Sequence, residues 1–367
     1  MHEGVYRERS ELKPFIWEYL VRSLSDASNT PKRVLIIALG PSNGTSAHLF
    51  SELTRVLSEN HTCKSIAISA TGASFLRRGI SMLSANFRHL GSVVRSQVVM
   101  VHVFAASTVF LLIFARLIGK KVIIFQWDIY PTTIAGRPYM TSWPRRAAHR
   151  LEHLVLRLAN VIVLPSEDFR SMAFARNPVV FPLWPQSALV QEPVQPQPMP
   201  DGECHIAFAG QINELRGLRE CITHLQSSVQ RRVVLHVFSA DELGFAPPTE
   251  GNLRIIHHGH VPRQELQAML RHMHFGLISL NPKLDQPGFP SKTFDYMAAG
   301  LPVLYFGRPL PSFTQAMERC GVGLDITTMT EINMYQLYQQ MISGLEPGRD
   351  AWTAHTRLDE KRLTPLL

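Results

Sequence analysis

Residues 288–304 run Gly-Phe-Pro-Ser-Lys-Thr-Phe-Asp-Tyr-Met-Ala-Ala-Gly-Leu-Pro-Val-Leu. Pro290 and Ser291 stop one element, and Ser291 is placed to cap a helix running through Ala299. Gly300-Leu301-Pro302 ends that helix and feeds a strand at Val303-Leu304-Tyr305. A loop that enters a helix at the carboxyl edge of a parallel sheet is an anion site. Free backbone N–H groups and the helix dipole both favour negative charge there. Lys292 in the first turn is a poor partner for that dipole unless it answers a bound anion. Asp295 falls one turn on, on the same face, where a carboxylate can accept hydrogen bonds from a ribose diol. In the first half of the chain, Asp128 ends a strand, where a carboxylate can deprotonate a hydroxyl or orient a substrate, or simply cap the turn before Tyr130-Pro131.

The elements that must position these groups alternate. From residue 33 onward, short β-branched runs are separated by helical ones, the signature of βαβ units and a parallel sheet. Strands are predicted at 33–39, 64–69, 98–104, 121–126 and 161–165, with helices over 45–58 and 143–159. Five prolines in 185–203 exclude a helix or central strand, so this stretch is a linker. A second alternation follows, with strands near 204–209, 232–238, 253–257, 275–280 and 302–306, and an amphipathic helical tail over 351–363. Before the first strand, Leu12, Phe15, Ile16, Tyr19, Leu20 and Leu24 fall at helical spacing.

The 288–304 segment resembles the donor-binding motif of GT-B glycosyltransferases, especially the family 4 kind from bacterial polysaccharide assembly. In that family Asp295 corresponds to the acid that holds the nucleotide ribose. The family's first acid, eight positions earlier, falls on Pro287, with Asp285 out of register, which leaves the donor sugar open. Residues 206–219 resemble the family's diphosphate loop, with the Gly210 turn, Arg216 as the clamping cation before Gly217, and Gln211 where a second arginine is common. Departure of a nucleoside diphosphate needs such cations to meet its growing charge. Gly259-His260-Val261, Glu265-Leu266 and His274 to Leu277 match the family's elements ahead of the donor motif. The resemblance also implies that the Gly40 to Gly44 loop approaches donor or acceptor. It places His102 near the reacting sugar, against the alternative of a core histidine. Gln126 replaces the histidine of the family's His-Asp pair and Asp128 keeps the acid.

Composition sets the remaining bounds. The 367 residues exceed what one core usually sustains, and the net charge of +8 implies an anionic partner. No nucleic-acid-binding motif is present. The four cysteines are scattered, without a disulfide framework or zinc spacing, which favours a reducing compartment. Residues 1–33 lack the apolar segment of a cleavable signal. His257, His258 and His260 alternate along a strand, so no metal is expected there. Residues 98–114 carry no charge, near the lower limit for a membrane span, but a strand followed by a helix explains them. Residues 75–95 hold Arg77, Arg78, Arg88 and Arg95, no acid, and large apolar residues that include Phe75, Leu76, Ile80, Met82, Leu83, Phe87, Leu90 and Val94, a pattern that can lie on an anionic membrane or pack on a core with a basic outer side.

The expectation is an α/β protein of GT-B type, two Rossmann-like domains facing across a cleft. Residues 1–184 form the acceptor domain with its N-terminal amphipathic helix, 185–203 the linker, 204–345 the donor domain, and 346–367 a helical tail that returns to the N-terminal domain. The resemblance implies a retaining, metal-independent glycosyltransferase without a cofactor. It takes a nucleotide-diphosphate sugar and extends a glycan, on a lipid carrier, at the cytoplasmic face of the plasma membrane. Gly210, Arg216, Ser291, Lys292 and Asp295 hold the donor, and His102 and Asp128 lie near the reaction. Gly40 and Gly44 shape a loop, and Arg77, Arg78 and Arg88 touch the membrane. Two other readings are a sugar-nucleotide 2-epimerase on the same fold and a donor-binding assembly partner without catalysis, suggested by Pro287, Gln211 and Gln126.

Overall fold

Strand β1 (Arg33–Leu39) is buried at every residue after Arg33. Its apolar residues serve both faces, as in a strand covered on both sides. In the computed structural model, which describes residues 30–39, 45–69, 75–102, 105–127, 143–170, 178–185, 203–284 and 288–367, β1 is the second strand of a six-stranded sheet. The elements of this half are α1 (Thr45–Leu57), β2 (Thr62–Ile68), α2 (Phe75–Arg88), α3 (Leu90–Arg95), β3 (Val98–His102), α4 (Val109–Leu117), β4 (Lys121–Phe125), α5 (Trp143–Leu156), β5 (Val161–Leu164) and β6 (Pro178–Val180). The order is β2-β1-β3-β4-β5-β6, with every pair parallel.

The second half repeats the plan: β7 (Cys204–Ala209), α6 (Leu218–Ser228), β8 (Val233–Phe238), β9 (Leu253–Gly259), α7 (Arg263–Leu270), β10 (Phe275–Ser279), α8 (Lys292–Ala298), β11 (Val303–Phe306), α9 (Pro311–Arg319), β12 (Gly323–Asp325), α10 (Met334–Ile342), α11 (Leu345–Thr356) and α12 (Glu360–Leu363). Its order is β12-β11-β10-β7-β8-β9, again parallel throughout. The chain therefore reverses direction of winding between β1 and β3 in one sheet and between β7 and β10 in the other. Such switch points open a crevice at the carboxyl ends of the strands.

Alternation along β1 sorts its side chains between two cores. Leu35, Ile37 and Leu39 pack with α2 to α5 on the outer face. Val34, Ile36 and Ala38 join α1 in a cluster that continues into the second half through Ala207, Ala209, Leu266, Phe294 and Trp352. The inner faces of the two sheets thus share one apolar core.

The tail is helical but broken. α11 ends at Thr356, and Asp359 starts α12 by accepting a hydrogen bond from the Arg362 amide at 3.0 Å. Glu360 then accepts from the Asn60 side chain and lies 3.5 Å from His61, and the Arg362 guanidinium stands 4.6 Å over the Phe181 ring. The uncharged stretch 98–114 divides into β3 and most of α4. Among the described residues no helix is long and apolar enough to cross a membrane. All four cysteines are free.

Candidate functional site in the inter-domain cleft

At the second switch point the loop after β7 is stitched to the end of β10. Ser279 Oγ donates to the Arg216 carbonyl at 2.7 Å, the Asn281 amide to Leu215 O at 3.0 Å, and Asn281 Nδ2 to Glu214 O at 2.9 Å. Gly217 sits at the foot of α6 with φ of 57°, and a Cβ there would meet Asn281 Cα at 2.5 Å. Only glycine meets both demands. Gly210 follows β7 directly, and its amide donates to Phe238 O at 3.1 Å.

Helix α8 brings the acid. The buried Tyr296 hydroxyl accepts from the Ala209 amide at 2.9 Å and donates to Leu277 O at 3.1 Å, tying α8 to β7 and β10 at once. Burial pushes the Tyr296 hydroxyl pKa up, so it stays protonated and donates. Asp295, one residue back, is held against the cleft wall. Its Oδ2 accepts from Lys292 Nζ at 2.9 Å, and its Oδ1 lies 3.4 Å from the Arg263 guanidinium. Lys292, expected to wait for an anion, is met within the chain by Asp295. Ser291 holds the N-cap position of α8 but its side chain makes no capping hydrogen bond, contrary to expectation. Its backbone is already helical (φ −64°, ψ −18°), which carries the hydroxyl away from the free amides; the residue borders the cleft.

That cleft has a volume of about 470 Å³. Gly210, His260, Arg263, Ser291, Lys292 and Asp295 border it from the C-terminal domain, and His48, Leu49 and Trp184 from the N-terminal one. Trp184 is fixed by its indole N–H, which donates to Leu49 O at 3.1 Å. Arg216 is exposed at the adjacent loop and does not border the cleft.

Two six-stranded parallel sheets facing one another across such a cleft decide the architecture, and comparison with solved structures agrees. The chain is similar to a sucrose-phosphate synthase from Thermosynechococcus elongatus, at 10% identity, covering 91% of this chain and 96% of that one, with a TM-score of 0.61. It is also similar to a UDP-forming α,α-trehalose-phosphate synthase from Burkholderia xenovorans, at 11% identity over 92% and 97% of the two chains, with a TM-score of 0.52. The chain has the GT-B fold. No family model and no curated protein matches the sequence.

On the N-terminal side of this GT-B cleft, His102 ends β3 fully buried between Phe50 and Trp127, whose rings lie 5.9 and 4.7 Å away. Burial pulls its pKa down to about 3, so the ring is neutral. His102 Nδ1, Gln126 Oε1 and Trp127 Nε1 are all buried, and among the described residues none of them has a hydrogen-bond partner. A buried polar atom is costly unless something completes it. Asp128, Gly40 and Gly44 lie outside the described residues, as do Asp285, Pro287 and residues 1–29. Arg77 and Arg88 are exposed on α2 and neither borders the cleft; the Arg78 side chain lies outside the described residues.

The histidines of the C-terminal sheet form a ladder rather than a metal site. His205 Nδ1 meets His236 Nε2 at 2.9 Å, and His236 Nδ1 meets His258 Nε2 at 2.9 Å. His257 is exposed and His260 borders the cleft, so the three residues near the end of β9 part company. Among the described residues no group of three His, Cys, Asp or Glu could hold a metal ion. Sequence reasoning missed Arg263. Its only local signal was a cation in the first turn of a helix, a weak one for a residue whose partner is 32 positions away.

Proposed function

We propose that the chain is a glycosyltransferase that moves a sugar from a nucleoside-diphosphate donor to a glycan acceptor. The observation that carries this is Asp295 held between Lys292 and Arg263 beside Gly210, on the cleft wall of a GT-B fold. Two cations and one carboxylate leave surplus positive charge where a diphosphate would lie, and a glycine there lets the phosphates approach backbone. In this reading Asp295 accepts from the ribose hydroxyls, while Lys292 and Arg263 meet the charge that grows on the leaving diphosphate, and Arg216, on the loop beside the cleft, adds to the positive field without lining it. The Ser291 hydroxyl is a further donor to that group. These cations make a metal unnecessary. One of the two GT-B structures above is named as UDP-forming, and we carry the same donor class to this chain.

The acceptor enters from the N-terminal side, past the Gly40 and Gly44 loop, with Asp128 and neutral His102 near its reacting hydroxyl. His102 at neutral pH offers a lone pair or an N–H, not a positive charge. Resemblance to the family 4 enzymes supports retention of configuration, a lipid-linked acceptor in surface-polysaccharide assembly, and work on the cytoplasmic face of a membrane. The exposed arginines of α2 support the last point.

A thermal-shift series with UDP, GDP, ADP, CMP and their sugar conjugates tests the reading, since a ligand of the native state raises the melting temperature by mass action. A selective rise with one diphosphate, followed by its release from the sugar conjugate when acceptor lipid is added, supports the transferase. No rise with any of them overturns it. A rise without release marks a binding partner instead.

A further inference from the structure

Helices α2 and α4 lie side by side on the outer face of the N-terminal sheet, where they close a core separate from the one behind the cleft. Each turns a second apolar stripe outward. Ile80, Leu83 and Phe87 on α2, and Phe110, Ile113 and Leu117 on α4, are all exposed. Both sets are spaced by three and then four residues, the interval that keeps side chains on one helical face. The stripes touch, for the rings of Phe87 and Phe110 stack with centroids 6.2 Å apart. Exposure reaches 59% at Phe87 and 79% at Leu117. Isolated surface apolar residues need no explanation, but six in two adjoining stripes do.

The surrounding charge says what covers them. Arg88, Arg95 and Arg116 are exposed around the stripes. Helices α2 to α5 contain one acidic residue between them, Glu152, and it is buried. A protein partner of ordinary mixed charge would find no carboxylate here to set its register. An anionic bilayer needs none. It offers negative headgroups to the arginines and an acyl layer, a few ångströms deeper, to the apolar stripes.

We infer that the chain inserts the two stripes of α2 and α4 into the headgroup boundary of an anionic membrane. Contact is then by burial of apolar side chains as well as by charge attraction. The inference rests on the membrane contact proposed above and is independent of the donor site.

The test uses the full chain and sedimentation with vesicles of phosphatidylglycerol and phosphatidylcholine, at salt of about 0.1 M and about 1 M. The Debye length falls between these from ~10 Å to ~3 Å, so attraction by charge alone is lost. Wild type should remain bound at high salt. Phe87→Ser with Phe110→Ser, and separately Leu117→Ser, should lower its high-salt partition coefficient by about tenfold or more while leaving a salt-sensitive component. All three positions are exposed, so these variants should melt as wild type does. As a second readout, Phe110→Trp should shift its emission to the blue with vesicles and be quenched by bromine-labelled acyl chains. Release of wild type at high salt, with the serine variants binding as it does, would overturn insertion and leave only surface attraction. Failure to bind any vesicle would overturn the membrane contact too, while the nucleotide thermal shift would still report on the donor site. A wild-type dimer that the serine changes dissociate, without lipid binding, would overturn the inference in favour of a self-interface.

Discussion

Gly276 lies directly beneath the ring of Tyr296: a Cβ on Gly276 would meet Tyr296 Cγ at 2.2 Å. β10 and α8 approach so closely only because one strand residue has no side chain, and that approach sets the depth of the neighbouring Asp295. Gly276→Ala should therefore cost about 1–3 kcal/mol of stability through overpacking, read as a lower urea midpoint with an unchanged slope. Tyr296→Phe should cost a similar amount, because the Ala209 amide and the Leu277 carbonyl lose their shared partner.

Lys292 and Arg263 share Asp295 but not equally. Lys292→Ala should weaken nucleoside-diphosphate binding by about 1.5–3 kcal/mol, as for a charge-assisted contact. Arg263, whose contact with Asp295 is longer at 3.4 Å against 2.9 Å for Lys292, should matter less, within about 1 kcal/mol. Titration calorimetry of both variants against the diphosphate found by thermal shift checks the ranking. Equal affinity for Lys292→Ala and wild type would remove Lys292 from the donor site.

Asp168, in the N-terminal half, accepts from the Ser312 amide at 3.0 Å and the Phe313 amide at 3.3 Å. It caps α9 across the domain boundary. Pro311, at the first position of α9, has no N–H to cap, so the bond falls on the next two. Asp168→Ala should cost about 0.5–2 kcal/mol and loosen the two halves. A lower melting temperature together with a larger radius of gyration in X-ray scattering would report both; an unchanged radius would limit the residue to a local cap.

Acidification should reach the protein through His102. Its pKa falls from an ordinary 6.5 to about 3 on folding because burial penalises the charged ring. The unfolded state therefore binds the extra proton between those values, and stability present above pH 6.5 is lost as pH falls toward 3. The slope from this residue should not exceed about 1.4 kcal/mol per pH unit. His102→Leu should flatten the fall in urea midpoint between pH 6.5 and 4.5. An unchanged profile would place the acid sensitivity elsewhere.

Much of this architecture was legible because punctuation and periodicity agree locally. Pro290 and Gly300 bracket α8, and the apolar run after Arg33 marks β1. β6 and β12 were not anticipated, since each has three residues, and Pro178 and Gly323 weaken them as strand signals. The site was half legible. Lys292 and Asp295 are neighbours in sequence, whereas Arg263 reaches Asp295 only through the packing of α7 beside α8. Ser291 misled because residue type predicts capping only when the backbone ahead of the helix is extended. The outward stripes of α2 and α4 share the spacing of a buried face, and only the sheet shows which side is already full.

The histidine ladder across β7, β8 and β9 has a consequence for where its hydrogens sit. Each of its two nitrogen–nitrogen contacts needs one hydrogen and one lone pair. With all three rings neutral, a hydrogen on Nδ1 of His236 requires one on Nδ1 of His205 and of His258. A hydrogen on Nε2 of His236 requires the opposite in both. Three residues that look independent in the chain thus have two arrangements between them, not eight. A proton taken up at one end and given off at the other would reverse the polarity of the whole row.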